Sequence, residues 1–239
     1  MKLPLNWLKE YITYNVSPEE IAENLTIIGL EVESISEIGI ISGVIVGEIQ
    51  KISKHPNADT LQIVIVFDGA NKYKIICGAP NIRVGQKIFF ATPGTKLPDE
   101  NSHEKFYLIK ESKIRGELSQ GMICSEKELG LGENHDGIMV LPKDFKLGSP
   151  ISKYYGEIVM ELDITPNRVD CLSITGIARD LSARIDKEFK FKYTNNHPHS
   201  KSYKNNIQIL DENICSRYTG VIIDNISIEE SPDWLKRRL

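Results

Sequence analysis

The stretch Lys54-His55-Pro56-Asn57-Ala58-Asp59 places a cation, an imidazole, an amide and a carboxylate in one short loop. Such groups can carry out acid–base chemistry, hold a metal ion or grip an extended polymer, and the rest of the chain separates the three. The parts for catalysis are missing. His135-Asp136 could pair a base with an orienting acid, but no Ser or Cys sits in a recognisable nucleophile elbow. Asp163 and Asp170 could form a carboxylate pair, yet Asp170 follows Pro166-Asn167 and precedes an apolar-periodic run, where it reads as a helix N-cap. The glycines of Gly130-Leu-Gly-Glu-Asn-His-Asp-Gly137 have neither dinucleotide-fingerprint nor phosphate-loop spacing and read as a turn. Metal chemistry fares no better. Cys77, Cys124, Cys171 and Cys215 lie more than forty residues apart, which fits reduced thiols, and His197-Pro-His199 has no ligand partners nearby.

The polymer reading remains, and charge is what tests it. The chain has 239 residues and a net charge of −4, which counts against a dedicated nucleic-acid binder. The charges are segregated, however. Val16 to Glu48 holds seven glutamates and no Lys or Arg, whereas Asn71 to Arg115 holds nine Lys/Arg against four acids. No apolar run approaches the roughly 20 residues of a membrane span, and the first residues lack the apolar core of a secretory signal, which points to the cytoplasm.

The elements that must position the loop follow from period and punctuation. Leu5, Leu8 and Ile12 suit one face of a short helix begun near Pro4. Ser17, Pro18 and Glu20 form a capping-box start for a second helix with Ile21, Leu25 and Ile28 inward and Gly29 as its stop. From Gly43 the period becomes that of strands: Val44–Ile49, Leu61–Phe67, Lys72–Cys77 after an Asp68-Gly69 turn, Lys87–Ala91, Phe106–Lys110 and Gly121–Cys124. Short strands at this spacing predict a closed five-stranded barrel. Asp170 is read as opening a helix with Ile174, Ile177, Ala178, Leu181 and Ile185 on one face, and Arg179, Asp180 and Arg184 outward. Tyr193–Asn206 reads as a polar connection. Strands are expected at Asn206–Leu210 and Tyr218–Ile223, and a helix start at Ser231-Pro-Asp-Trp-Leu235.

The fold class expected is therefore α+β: an OB-fold barrel (40–149) inserted into a small helical domain (1–39 and 150–195), followed by the truncated start of a further domain (206–239). Small barrels of the oligonucleotide-binding type hold single-stranded or looped nucleic acid on one face and its loops. On that reading Lys54, Arg83, Lys113 and Arg115 meet phosphates, His55, Asn57, Asn81 and Ser119 offer directional polar contacts, and Pro56 and Gly78 shape the loops.

Taken together, these stretches resemble a known family, the beta subunit of bacterial-type phenylalanine–tRNA ligase. "LNWLKEYI" and "LTIIGLEVESI" resemble that subunit's opening. "HPNADTLQIVIV", "IICGAPNIRVGQKI", "ATPGTKLP" and "KIRGELSQGMICSEKELGLGENHDGIMVLP" are similar to its inserted tRNA-binding module, and "ELDITPNRVDCLSITGIARDLSA" to the segment that resumes the interrupted domain. Val169 departs from the pattern, since the family commonly has proline after Asn-Arg; a looser turn is expected there. The resemblance implies an enzyme that uses ATP and magnesium to attach phenylalanine to tRNA(Phe), as an (αβ)2 heterotetramer with catalysis in the alpha subunit. This stretch would then bind neither ATP nor metal, carry no catalytic residue and be inactive alone. It would end at the first strands of an α/β editing domain, with the hydrolytic pocket beyond Leu239. A second sieve of that kind suits a pocket that rejects one extra hydroxyl poorly. Two other readings stay open: a free-standing tRNA-binding module, and a barrel that chiefly positions its neighbours. The paired flanking helices favour the ligase subunit over the first, and the acidic net charge keeps the second alive.

Overall fold

The computed structural model describes residues 1–99, 105–191, 207–220, 222–236 and 238. Met1–Phe189 form one compact unit and Lys190–Leu239 another. The first unit opens with β1 (Lys2–Pro4), the single-turn α1 (Leu5–Leu8), α2 (Pro18–Ile27) and β2 (Glu31–Ile38). The strands of the barrel and its hairpins follow: β3 (Val44–Lys54), β4 (Gln62–Phe67), β5 (Lys72–Cys77), β6 (Lys87–Ala91), β7 (Lys96–Pro98), β8 (Phe106–Leu108), β9 (Ser112–Ile114), β10 (Glu117–Ser119), β11 (Met122–Ile123) and β12 (Val140–Leu141). The unit closes with α3 (Ser152–Tyr155), β13 (Glu157–Asp163), a 3-10 turn (Val169–Leu172) and α4 (Ile174–Arg184).

The flanking segments are not a purely helical unit. β1, β13 and β2 form a three-stranded antiparallel sheet in that order. Leu3, Leu5, Leu8, Ile21, Leu25, Met160, Leu162, Ile174, Ile177 and Leu181 share one core between this sheet and the helices, so both ends of the unit bury into each other. Alternation along β13, with Met160 and Leu162 buried, is what builds the sheet. On β2 a bulge breaks that alternation: Glu161 opposes Ser34 while Leu162 opposes Val32, leaving Glu33 as the extra residue. Val32, Ile35 and Ile38 then fall three apart, a spacing that conceals a strand.

Local chemistry fixes α2. The Ser17 Oγ accepts from the Glu20 N–H at 3.2 Å, and Pro18 occupies the first turn, where its missing N–H costs nothing. At the other end Gly29 has φ +86°, its N–H donates to Thr26 and the Leu30 N–H donates to Leu25, a Schellman closure with Leu25 and Leu30 both fully buried. Ser17→Ala is expected to lower stability by about 1 kcal/mol, read as the urea midpoint. The helix begun near Pro4 ends at Leu8, and Ile12 instead bridges Phe189. At α4 the cap is Ser173, whose Oγ accepts from the Gly176 N–H at 3.1 Å. Asp170 does not cap it, because its carboxylate is held by Arg168 at 3.0 Å.

Arg168 also pairs with Asp180, so Asp180 turns inward, and the Arg184 Nε donates to Asn24 Oδ1 at 3.1 Å. The Arg168 hydrogen bonds hold the Asp170 carboxyl down to about 2. A carboxyl lowered in the folded state stabilises fully above its unfolded value, near 4, and loses that contribution as pH falls towards 2. The urea midpoints of the parent and Asp170→Asn are therefore expected to differ at pH 6 and to converge between about pH 4 and 2.

The barrel sheet runs β11-β6-β3-β4-β5, with β12 also on β6. β3 is long enough to serve two neighbours, pairing β6 through Val44–Glu48 and β4 through Glu48–Lys54 with a bulge near Gln50. That bend curls the sheet. The expected closure is nearly complete: β5 meets the β10–β11 corner through the Gln120 N–H donating to Lys74 O at 2.8 Å and side-chain bonds from Gln120 and Ser119, with no continuous ladder. Phe89, Val44 and Val46 anchor one barrel core and Phe90, Val64 and Ile75 the other. β7 and β8 form a separate hairpin, so Phe106–Lys110 lies outside the barrel sheet.

In the second unit the helix start is present as α5 (Asp233–Lys236), but none of the described residues of Asn206–Leu210 or Tyr218–Ile223 forms a strand. Leu210, Ile223 and Ile228 are largely exposed, and among the described residues nothing supplies the partner and core that a strand needs. Tyr193–Asn206, with His197 and His199, lies outside the described residues, as does Val221.

Candidate nucleic-acid interface

Folding ties the opening loop to a distant hairpin. β9 and β10 are joined by the two residues Arg115 (φ +47°) and Gly116 (φ +95°), a type I′ turn whose twist matches the flanking strands. Gly116 suits its position; an arginine at positive φ is uncommon and is held there by other contacts. The Asn57 Nδ2 donates to the Arg115 carbonyl at 3.1 Å, and His55 Nε2 lies 3.1 Å from the Ile114 carbonyl. The Asn57 N–H donates to His55 Nδ1 at 3.1 Å, and the other ring nitrogen faces the Ile114 carbonyl. On the far side of the hairpin Lys74 pairs with Glu117 at 2.5 Å and holds the Glu117 carboxyl below its usual range.

The consequence is an exposed cationic ridge. Lys54 at the end of β3, Lys113 on β9 and Arg115 at the turn are all exposed and stand on two loops locked by His55 and Asn57. Leu118, opposite Lys113, adds a half-exposed apolar surface. Arg83 is exposed elsewhere, in the β5–β6 connection, where its N–H donates to Gln86 Oε1.

The polar residues divide differently from the cations. His55 is 5% exposed and Ser119 is 2% exposed, so neither presents its side chain outward. The Ser119 Oγ accepts from the Ile76 N–H at 3.0 Å and donates to Gly121 O, satisfying a backbone group at the barrel seam. Asn81 exchanges two 2.9 Å bonds with the Ile138 backbone and thereby fastens the 134–138 loop. The sequence does not single out Lys74, Glu117 and Gln120, although a Lys and a Glu on neighbouring strands is the one signal available for the first two.

Among the described residues, one group of side chains could hold a metal: Asp170, Cys171 and Asp180. The Arg168 guanidinium already occupies it. Cys77, Cys124 and Cys171 are buried free thiols, and burial pushes the Cys171 thiol up to about 11, which leaves it inert. No described helix is long and apolar enough to cross a membrane.

Comparison with known proteins places this ridge in context. Residues 44–150 match the tRNA_bind family, described as a tRNA binding domain. Along its whole length the chain is 43% identical to the "Phenylalanine--tRNA ligase beta subunit" of Dehalococcoides mccartyi, and 42% identical to the proteins of that name from Protochlamydia amoebophila and Porphyromonas gingivalis. It spans 30% of the length of each of these relatives. With the barrel matched as a tRNA-binding domain and both flanks aligned, the chain is similar along its whole length to phenylalanine–tRNA ligase beta subunits.

Proposed function

We propose that this region grips tRNA(Phe) through the ridge of Lys54, Lys113 and Arg115, with Arg83 as a separate phosphate contact and Asn57 at its margin. His55 acts behind that surface by fixing the two segments that carry it, Ser119 holds the barrel seam, and Asn81, at an exposed position, fastens the 134–138 loop. The observation that carries the reading is the locking of two cationic loops by His55 and Asn57 inside the tRNA_bind match. The region serves a ligase that attaches phenylalanine to tRNA with ATP and magnesium, in the cytoplasm. Catalysis belongs to an alpha subunit within an (αβ)2 assembly, and this region alone is inactive. Its barrel, residues 40–149, interrupts a unit made of 1–39 and 150–195, and residues 206–239 begin an editing domain.

The test is a filter-binding titration of tRNA(Phe) across salt. Lys113→Ala combined with Arg115→Asn removes two charges, and Asn tolerates positive φ, so the turn is kept. Affinity is expected to fall, and the log–log salt slope to flatten by about 0.7–0.9 for each phosphate that is no longer neutralised. An unchanged affinity and slope would favour the second reading, a barrel that mainly positions its neighbours, which the net charge of −4 supports.

A further inference from the structure

The sheet of the flanking unit leaves one long edge bare. β2 is the outer strand of the order β1-β13-β2, and among the described residues its backbone hydrogen-bonds only to β13. An unpaired edge of 8 residues is a template for another strand, and proteins ordinarily blunt such edges with lysine, proline or a covering element. Here a bulge at Glu33 interrupts the edge, Ser34–Ile38 form its regular stretch, and the charges along it are all of one sign. Glu31, Glu33 and Glu37 lie on the strand, Glu23 lies on the helix beside it, and no cation occurs between Val16 and Glu48.

Beside that edge runs an apolar groove. Val32 and Ile35 stand on the same side of the sheet as Leu162 and Met160, their cross-strand partners, and face Ala22, Thr26 and Ile27 of α2. The groove measures about 490 Å3; Ile27 is 56% exposed and Ile35 is 41% exposed. An aliphatic floor beside free backbone donors and acceptors suits a strand whose alternate side chains are apolar.

Charge selects the occupant. A second copy of β2 would set glutamates against glutamates, and like charges facing across strands are destabilising. Nucleic acid is repelled outright. We infer that the outer edge of β2 and its groove against α2 dock an extended segment of a protein partner that alternates apolar residues with Lys or Arg, added as a fourth strand. This surface is distinct from the cationic ridge and does not depend on tRNA binding there.

The experiment uses the chain as it stands and a fluorescein-labelled peptide of eight residues alternating valine and lysine, with a valine–glutamate peptide as control. Anisotropy at about 50 mM salt is expected to show saturable binding of the basic peptide, about tenfold or more tighter than the acidic one. Binding should fall about tenfold in Ile27→Lys, on the exposed helix flank where folding is not at stake, and in Glu37→Lys. The β2 amides should gain hydrogen-exchange protection in the complex. Equal binding of both peptides, no binding, or indifference to both substitutions overturns the inference, as does concentration-dependent dimerisation that Ile27→Lys abolishes. A matching fall in tRNA affinity in Ile27→Lys would assign the surface to RNA and overturn it too. If Lys113→Ala with Arg115→Asn leaves tRNA binding intact while the peptide still binds, only the proposed function fails.

Discussion

Replacing Phe89 with alanine is expected to lower the free energy of unfolding by about 3–5 kcal/mol, the usual cost of deleting a fully buried phenylalanine. The ring is 0% exposed at the centre of β6, the strand that pairs with β3, β11 and β12 together. It meets Tyr155 edge-on with centroids 5.8 Å apart and Phe145 at 6.3 Å, and Phe145 stacks in turn on Tyr154 at 3.7 Å. A void there removes the wall against which that aromatic group packs, and a domain of ordinary stability has only about 5–15 kcal/mol to lose. The loss should stay in the barrel. Phe89 belongs to a cluster with no member from the core of the flanking sheet and helices, and Trp7 packs on that other core. In urea, the tyrosine near-UV signal of the barrel should therefore shift to lower denaturant while the Trp7 signal holds its midpoint. Coincident shifts of both would mean that the two cores unfold as one.

What the amino-acid sequence reveals and conceals follows a physical rule: signals carried by neighbouring residues are legible, and those carried by distant backbone are not. Ser17, Pro18 and Gly29 mark α2 because capping is complete within a few residues. β4 and β5 are legible because two runs rich in Ile and Val flank the Asp68-Gly69 turn that joins them. β1 is three residues long, too short for any period, and β2 hides behind the bulge at Glu33. Asp170 reads as the cap in sequence; Arg168, bonded to Asp170 and Asp180, takes its carboxylate and leaves the cap to Ser173. The site shows the same division. Lys54, Arg83, Lys113 and Arg115 are exposed as expected, since long cations seldom bury. His55 and Ser119 look like outward contacts because they are polar in loop-like sequence, yet their partners are the Ile114 carbonyl and the Ile76 N–H, which no side chain announces.

That hidden role of His55 makes the sharpest test of how the ridge works. His55→Ala deletes two hydrogen bonds, leaving the Ile114 carbonyl and the Asn57 N–H without these partners, at an expected cost of about 1–3 kcal/mol to the local structure. No charge that meets solvent is lost. If the proposed ridge holds tRNA, its cations bind well because both loops are already ordered, and releasing them makes binding bear the ordering entropy. Affinity for tRNA(Phe) should fall by about tenfold, equivalent to about 1.4 kcal/mol. The salt slope should stay where it was, because the same phosphates are still neutralised once the loops close. This is the opposite pattern to Lys113→Ala with Arg115→Asn, where the slope itself flattens. Faster hydrogen exchange at Asn57, Ile114 and Arg115 would locate the loosening in the two loops. A flattened slope in His55→Ala would make the imidazole a direct phosphate contact, against its burial, and unchanged affinity would mean that the ridge needs no preorganisation.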